Sequence, residues 1–339
     1  MNSLKPKQFT KRLLAALPER ARAVLSSRYG LDDGEKKTLE SIGERYGITR
    51  ERVRQIENYS IEQIKKSDFF RREQAVFTEL ERLMQELGSV ISEEDLLDLI
   101  AKKEELKNHI YLYLVLGDAF RKEKEDDEFK DRWHVDSDLS GAVHGALRNL
   151  YKNLEESDLV PEPEMLGLFK DQLKGVPERH KEEGVLRRWL GISKKIARNP
   201  LGEWGVAHSP GVRAKGIRDL AYLAIRRHGS PMHFTEVAKV IGKMFEKRAH
   251  VATCHNELIK DPRFVLVGRG LYALSEWGYS TGVVRDVIRD VLKKSGPMSR
   301  EEVIEKVLKE RYVKPNTIIV NLQNPQYFRK DNSGRYTTT

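Results

Sequence analysis

The stretch Thr38-Leu39-Glu40-Ser41-Ile42-Gly43-Glu44-Arg45-Tyr46-Gly47-Ile48-Thr49-Arg50-Glu51-Arg52-Val53-Arg54-Gln55-Ile56-Glu57 decides how this chain is organised. Leu39, Ile42 and Tyr46 recur at helical spacing, and Gly43 lets a second helix approach closely. Gly47 stands where a helix ends in a left-handed residue, and Thr49 has a hydroxyl suited to cap the next helix by accepting a backbone N–H. The spacing of Val53, Ile56, Ile61 and Ile64 predicts the buried face of that second helix. Two helices across a glycine turn make a helix-turn-helix.

Arg50, Glu51, Arg54 and Gln55 fall on the outward side of the second helix, at its N-terminal end. In helix-turn-helix docking, those positions reach base edges in the major groove. Their chemistry suits base reading, since Arg forks onto guanine O6 and N7, Gln pairs with adenine N6 and N7, and Glu accepts from cytosine N4. Arg52 points toward a flank and suits a phosphate, and Thr49, Lys65 and Lys66 are further candidates for the DNA backbone. Most charged helix faces are merely solvated. The capping residue, the glycine turn and the clustering set this one apart.

Residues 13–66 closely resemble region 4 of primary bacterial sigma factors. The resemblance is carried by Leu17-Pro18-Glu19-Arg20, by Arg28-Tyr29-Gly30-Leu31-Asp32-Asp33-Gly34-Glu35 and by Thr49-Arg50-Glu51-Arg52-Val53-Arg54-Gln55-Ile56-Glu57. In that family region 4 reads the −35 promoter element and docks on the flap of the RNA polymerase β subunit. The resemblance implies base contacts from Arg50, Glu51, Arg54 and Gln55 and a backbone contact from Arg52. It also carries a departure. Sigma factors hold region 4 at the C-terminus, after regions that grip the polymerase core and melt the −10 element. Here it begins near residue 13 and nothing resembling those regions follows, so an ordinary promoter-opening sigma factor is not expected.

Composition agrees with a nucleic-acid partner. The 339 residues have room for roughly two to four domains. Lys and Arg number 61 against 52 Asp and Glu, a net charge of +9, which favours polyanions. A single cysteine excludes a disulfide framework and fits a reducing cytoplasm. The N-terminus lacks an apolar signal core and the chain has no run of 18 apolar residues. The expected location is therefore cytoplasmic, on the bacterial nucleoid, with no membrane partner. Charge is uneven along the chain. Lys/Arg against Asp/Glu run 17 to 10 over residues 1–72, 9 to 19 over 73–139, 13 to 10 over 140–216 and 22 to 13 over 217–339. Phosphates repel an acidic module, so residues 73–139 are expected to contact protein or to space the domains.

Beyond residue 72 the chain reads as an imperfect repeat. Ile217-Arg218-Asp219-Leu220 opens a helix and Ser230-Pro231-Met232-His233-Phe234-Thr235-Glu236-Val237 turns into a second. Val284-Arg285-Asp286-Val287 and Gly296-Pro297-Met298-Ser299-Arg300-Glu301-Glu302-Val303 do the same, with Ser299 and Glu302 at capping-box spacing. Each copy runs through a third helix into apolar runs across a glycine turn, Phe264–Leu274 and Phe328–Thr337, which predict hairpins. Three helices and a hairpin make a winged helix. The repeat extends backward, with a helix start at Val90–Leu97 and a wing within Phe120–Val135. Another helix starts at Leu159–Glu162, with a wing across Ile196–Val206.

Residues 217–277, with His228–Phe234 and Gly268-Arg269-Gly270-Leu271-Tyr272-Ala273-Leu274, resemble the HARE-type helix-turn-helix domain, and residues 282–337 look like a divergent copy. That family occurs in the delta subunit of some bacterial RNA polymerases, in chromatin-associated proteins and fused to DNA-modifying enzymes. The resemblance implies a transcription or DNA context without fixing a contact. Arg269, Lys330 and Arg335 are the charged wing candidates.

Other features point away from catalysis. His250 and Cys254 stand at i, i+4 with His255 adjacent, but no CxxC or HExxH supplies further ligands, and a small buried cysteine in a third helix explains them. Glu128-Phe129-Lys130 after Asp126-Asp127 is read as a charged wing rather than a nuclease strand. Trp133, Trp189, Trp204 and Trp277 are read as core. No phosphate-binding loop, dinucleotide fingerprint or nucleophile elbow occurs. The chain is expected to be no enzyme and to hold neither metal nor cofactor.

The expected fold is mainly α with small β-hairpin wings: an N-terminal helix-turn-helix (1–72), then tandem winged-helix units at 73–139, 140–216, 217–279 and 280–339. The expected function is a DNA-binding transcription regulator, active on promoter-like double-stranded DNA with RNA polymerase, through its β flap, as partner. The alternatives are a delta-like polymerase accessory protein acting mainly by protein contact, and a non-catalytic module of a DNA-modification or defence system.

Overall fold

A computed structural model describes residues 5–279 and 282–339; the expected unit starts at 1 and 280 lie outside them. The described residues form seventeen α-helices and ten short strands, all paired antiparallel. They divide into two compact units, one of residues up to 197 with 204–207, the other of 198–203 with 208–339.

The first unit opens with α1 (Pro6–Leu14), α2 (Glu19–Tyr29), α3 (Leu39–Tyr46), α4 (Arg50–Lys66) and α5 (Asp68–Arg72). It continues through α6 (Gln74–Glu86), β1 (Val90–Ser92), α7 (Glu93–Ile100), α8 (Glu104–Leu116), β2 (Arg121–Glu123) and β3 (Arg132–His134). A single apolar core runs from Phe9 to Trp133. Its centre is α8, which buries Ile110, Leu112, Tyr113, Leu114 and Leu116 and so is apolar nearly all round over its C-terminal half, as a helix enclosed by others must be. Phe9 of α1 lies 5.2 Å from the Tyr113 ring and 5.3 Å from Phe69, ring centre to ring centre. The Tyr113 hydroxyl donates to the Pro6 carbonyl at 2.6 Å. Residues 73–139 are thus no spacer: they complete the core of the residues before them.

Next come α9 (Ser137–Lys152), α10 (Glu162–Gln172), α11 (Glu183–Ile192), β4 (Ile196–Arg198) and β5 (Trp204–Val206). Helix α9 starts before residue 140 because the Asp136 side chain accepts from the Leu139 N–H and caps it. A second core joins Val90 and Phe129 to Val143, Leu147, Phe169 and Trp189.

The other unit holds α12 (Ile217–His228), β6 (Met232–His233), α13 (Phe234–Phe245), α14 (Val251–Lys260), β7 (Phe264–Gly268) and β8 (Leu271–Leu274). Then follow α15 (Val284–Ser295), α16 (Arg300–Glu310), α17 (Pro315–Leu322), β9 (Phe328–Lys330) and β10 (Tyr336–Thr338). The capping box is present at α16, with Ser299 accepting from the Glu302 N–H at 3.2 Å and Glu302 accepting from the Ser299 N–H at 2.7 Å.

One topology recurs four times. A helix leads into a short extended segment, two more helices and a hairpin, and the extended segment pairs with the second hairpin strand. The pairs are β1 with β3, Val160 with Trp204, β6 with β8, and Met298 with Tyr336. Sequence pattern does not reveal the extended segments; at one to three residues they are too short to alternate. Twice, the next repeat lends backbone to the hairpin. The Lys130 N–H donates to the Ile192 carbonyl at 3.0 Å and the Lys194 N–H to Glu128 at 2.7 Å, while the Tyr312 N–H donates to Val267 at 2.9 Å.

Candidate nucleic-acid interface

The local chemistry of residues 38–66 sets helix against helix as the spacing predicts. Thr38 caps α3 by accepting from the Ser41 N–H at 3.1 Å, and Thr49 caps α4 by accepting from the Arg52 N–H at 3.2 Å. Gly47 ends α3 with φ +63°, which glycine adopts without steric cost. What crowds Gly43 is the turn rather than the body of a second helix: a Cβ there would meet the Ile48 carbonyl oxygen at 2.6 Å. Val24, Ile42 and Val53 form a small core between α2, α3 and α4, with Leu39, Tyr46, Ile48 and Ile56 packed around it. Val53 and Ile64 are buried, whereas Ile56 and Ile61 are half-buried against neighbouring cores.

The four expected base readers, Arg50, Glu51, Arg54 and Gln55, lie together at the start of α4, the first three exposed and Gln55 partly so. At about 100° per residue they span an arc of about 140° on one side of the helix. Arg54 grips Glu51 with two hydrogen bonds, Nε to Oε2 at 2.9 Å and Nη2 to Oε1 at 2.7 Å. That contact lowers the Glu51 carboxyl below the usual carboxylate range and raises the Arg54 guanidinium. Arg52 turns its guanidinium onto a neighbour, donating from Nη1 to the Gln55 carboxamide oxygen at 3.0 Å. Lys65 and Lys66 do not join this cluster. They lie about 23–24 Å from Arg50 along the helix axis, where Lys65 meets Asp118 at 2.7 Å and Lys66 meets Glu62 at 3.9 Å.

Supporting contacts hold α4 in place. Arg28 of α2 donates to Glu57 at 3.4 Å and to the Lys37 carbonyl at 3.1 Å. Burial, followed by the Glu57 carboxylate, pushes the Tyr29 phenol upward. A second anchor is invisible to sequence reasoning. Asn108 of α8 donates to the carbonyls of Gly30 and Gly34 at 3.0 and 2.9 Å, and the Lys36 ammonium sits 3.8 Å from the centre of the Tyr111 ring. The apolar run Ile110–Leu116 signals a buried helix, but nothing in it says which loop it clamps.

In the second unit, Arg269 is exposed at the tip of the β7–β8 hairpin. Lys330 lies 5.1 Å from the centre of the Tyr336 ring, and Arg335 is 3.6 Å from Asp331. The three wing candidates thus sit on two separate hairpins. His250 is exposed at the N-cap of α14 while Cys254 is buried in the core, where burial pushes its thiol up to about 11. His255 stacks on Phe234 at 4.3 Å. Trp133, Trp189 and Trp204 are buried and Trp277 is half-buried. Phe129, within Glu128-Phe129-Lys130, is buried and stacks on His144 at 4.4 Å. No helix among the described residues is long and apolar enough to cross a membrane.

With this geometry in view, the comparison with known proteins is specific. The family model described as sigma-70, region 4 matches residues 13–66. Residues 13–66 are a sigma-70 region 4 domain. Over this domain the chain is 51% identical across 53 residues to RNA polymerase sigma factor SigA1 of Synechococcus elongatus, covering 16% of this chain and 13% of that protein. It is 50% identical across 54 residues to sigma factor SigA of Nostoc, covering 16% and 14%. Identity to principal sigma factor HrdD of Streptomyces viridifaciens is 43% across 54 residues, 16% of each chain. The chain therefore spans only 13% to 16% of the length of these relatives. The shared segment contains the whole of the capped turn and all of α4.

Proposed function

We propose that this protein is a DNA-binding transcription regulator whose region 4 domain reads a −35-like promoter element through the N-terminal end of α4. The observation that carries the reading is the outward cluster Arg50, Glu51, Arg54 and Gln55 on a capped helix packed against α2 and α3. The relatives named as RNA polymerase sigma factors support a polymerase partner as well; on this reading the β flap is its docking point. Under this reading the four repeats are winged helices, the pair at 217–279 and 280–339 being of the HARE type. They extend the grip on DNA or on polymerase and carry no catalysis.

Phosphate contacts set affinity and its salt dependence, while α4 sets sequence choice. Fluorescence anisotropy on a duplex with a −35-like hexamer and on a scrambled duplex, across a salt series, tests the role. Expected is a preference of about tenfold or more, with Arg54→Ala costing about 1–3 kcal/mol on the matched duplex only. Equal losses on both duplexes would sink the base-reading role.

A second reading is favoured by the acidic residues 73–139, which share a core with the reader. In that reading the protein is a polymerase accessory factor, and both duplexes bind weakly and alike while polymerase core is captured.

A further inference from the structure

We infer that Glu51 is a positioning residue for Arg54, and that the two read one guanine as a single unit instead of reading two bases. This rests on the DNA-reading role proposed above.

The geometry of the pair points to this division of labour. A guanidinium has five N–H groups in a fixed plane. Glu51 takes the Nε proton and one Nη2 proton along one edge, at 2.9 and 2.7 Å. The opposite edge, formed by Nη1 and the second Nη2 proton, is not engaged by Glu51. Two N–H groups side by side on that edge match guanine O6 and N7. Holding Arg54 by its other edge therefore aims this fork without using it up.

Both Glu51 oxygens are turned to Arg54, so the carboxylate is not presented alone as a cytosine acceptor. An unpaired carboxylate in the groove would also face the phosphates; the pair enters neutralised. Both side chains are about half exposed, 54% and 55%. An ion pair so exposed contributes little to folding, and it strengthens once DNA excludes water around it. The next pair repeats the arrangement. Arg52 can only donate, so the Gln55 oxygen is the atom it holds at 3.0 Å, which fixes which way the amide lies. Arg54 and Gln55 are each steadied by the residue three positions before, one turn back on the helix.

The test uses the full chain and a duplex carrying a −35-like hexamer, with every single-base-pair substitution of that hexamer. The readout is discrimination, the ratio of Kd on a substituted duplex to Kd on the parent. It is insensitive to the general gain in affinity that removal of a negative charge brings. The parent chain should discriminate about tenfold or more at one G·C pair. Glu51→Ala should reduce discrimination to about threefold or less at that same pair, with a smaller effect only at the pair that Gln55 reads, since the Gln55 amide also hydrogen-bonds Glu51. Adding Glu51→Ala to Arg54→Ala should not change the ratio at the shared pair further, because coupled residues fail to add. Glu51→Gln, which keeps one acceptor oxygen, should fall between, and circular dichroism of each variant checks that α4 stays folded.

Loss of discrimination at a base pair that neither Arg54→Ala nor Gln55→Ala affects would mean Glu51 reads its own base, and the inference fails. Additive losses in the double variant, or unchanged ratios in Glu51→Ala, overturn it equally. Flat ratios in the parent chain would instead remove the DNA-reading role itself.

Discussion

At the scale of single residues, Gly43 shows how closely the turn of the region 4 domain is built. Any side chain there meets the Ile48 carbonyl at 2.6 Å, a backbone atom that cannot swing aside. Gly43→Ala should therefore destabilise the first unit by about 1–3 kcal/mol, as overpacking does. Urea denaturation followed by circular dichroism checks it, and an unchanged midpoint would show that the turn relaxes freely. The motif is legible in sequence because each residue has a local reason: Thr38 and Thr49 cap, Gly47 takes positive φ, and Val53 faces inward. The pairings among the exposed side chains are not legible. Whether Arg52 meets a phosphate or Gln55 depends on rotamers three residues apart, and helical periodicity does not record rotamers.

At the scale of elements, the hairpin β2–β3 is bound to α9 by buried polar groups. Arg132 donates from Nε to His144 Nε2 at 2.8 Å and from Nη2 to Glu123 at 2.7 Å, and Ser140 donates to Glu123 at 2.8 Å. Burial, then the Arg132 charge, lowers His144 to about 4 against an ordinary value of 6.5, with Glu123 opposing the shift. An unfolded chain therefore binds a proton at His144 that the folded chain refuses. Stability on this account is full above about pH 6.5 and falls as pH drops toward about 4, by up to about 3 kcal/mol. Denaturant midpoints measured from pH 7 to pH 4.5 should show that slope, and His144→Gln should flatten it. An equal slope in the variant would assign the effect to other groups, His109 and His134 first, since burial lowers both. Hairpins and helix starts are foreshadowed in the residue order, because glycine turns and caps are local. This network is not, since Glu123, Arg132, Ser140 and His144 are ordinary polar residues until the fold brings them together.

At the scale of the whole molecule, the region 4 domain is not a detachable module. Phe9, Leu13 and Leu25 share one core with Leu80, Ile110 and Tyr113. Residues 1–72 made alone would leave that apolar surface in water and should show no cooperative thermal transition, whereas residues 1–207 should melt cooperatively. A sharp transition from the short fragment would refute this. Charge counting marks residues 73–139 as separate; the apolar side chains, which carry the contact, contribute nothing to such a count. The hairpins that borrow backbone from the next repeat have a further consequence. A strand at the border of a sheet offers unmet N–H and C=O groups to any passing chain and so invites aggregation. Here residues 192–194 occupy the groups beside Glu128–Lys130, and Tyr312 those beside Gly268. Phe328–Lys330 instead bears Arg329 and Lys330, whose like charges keep a second copy from adding to it. The hairpins so covered or charged are thereby made poor seeds for a fibre.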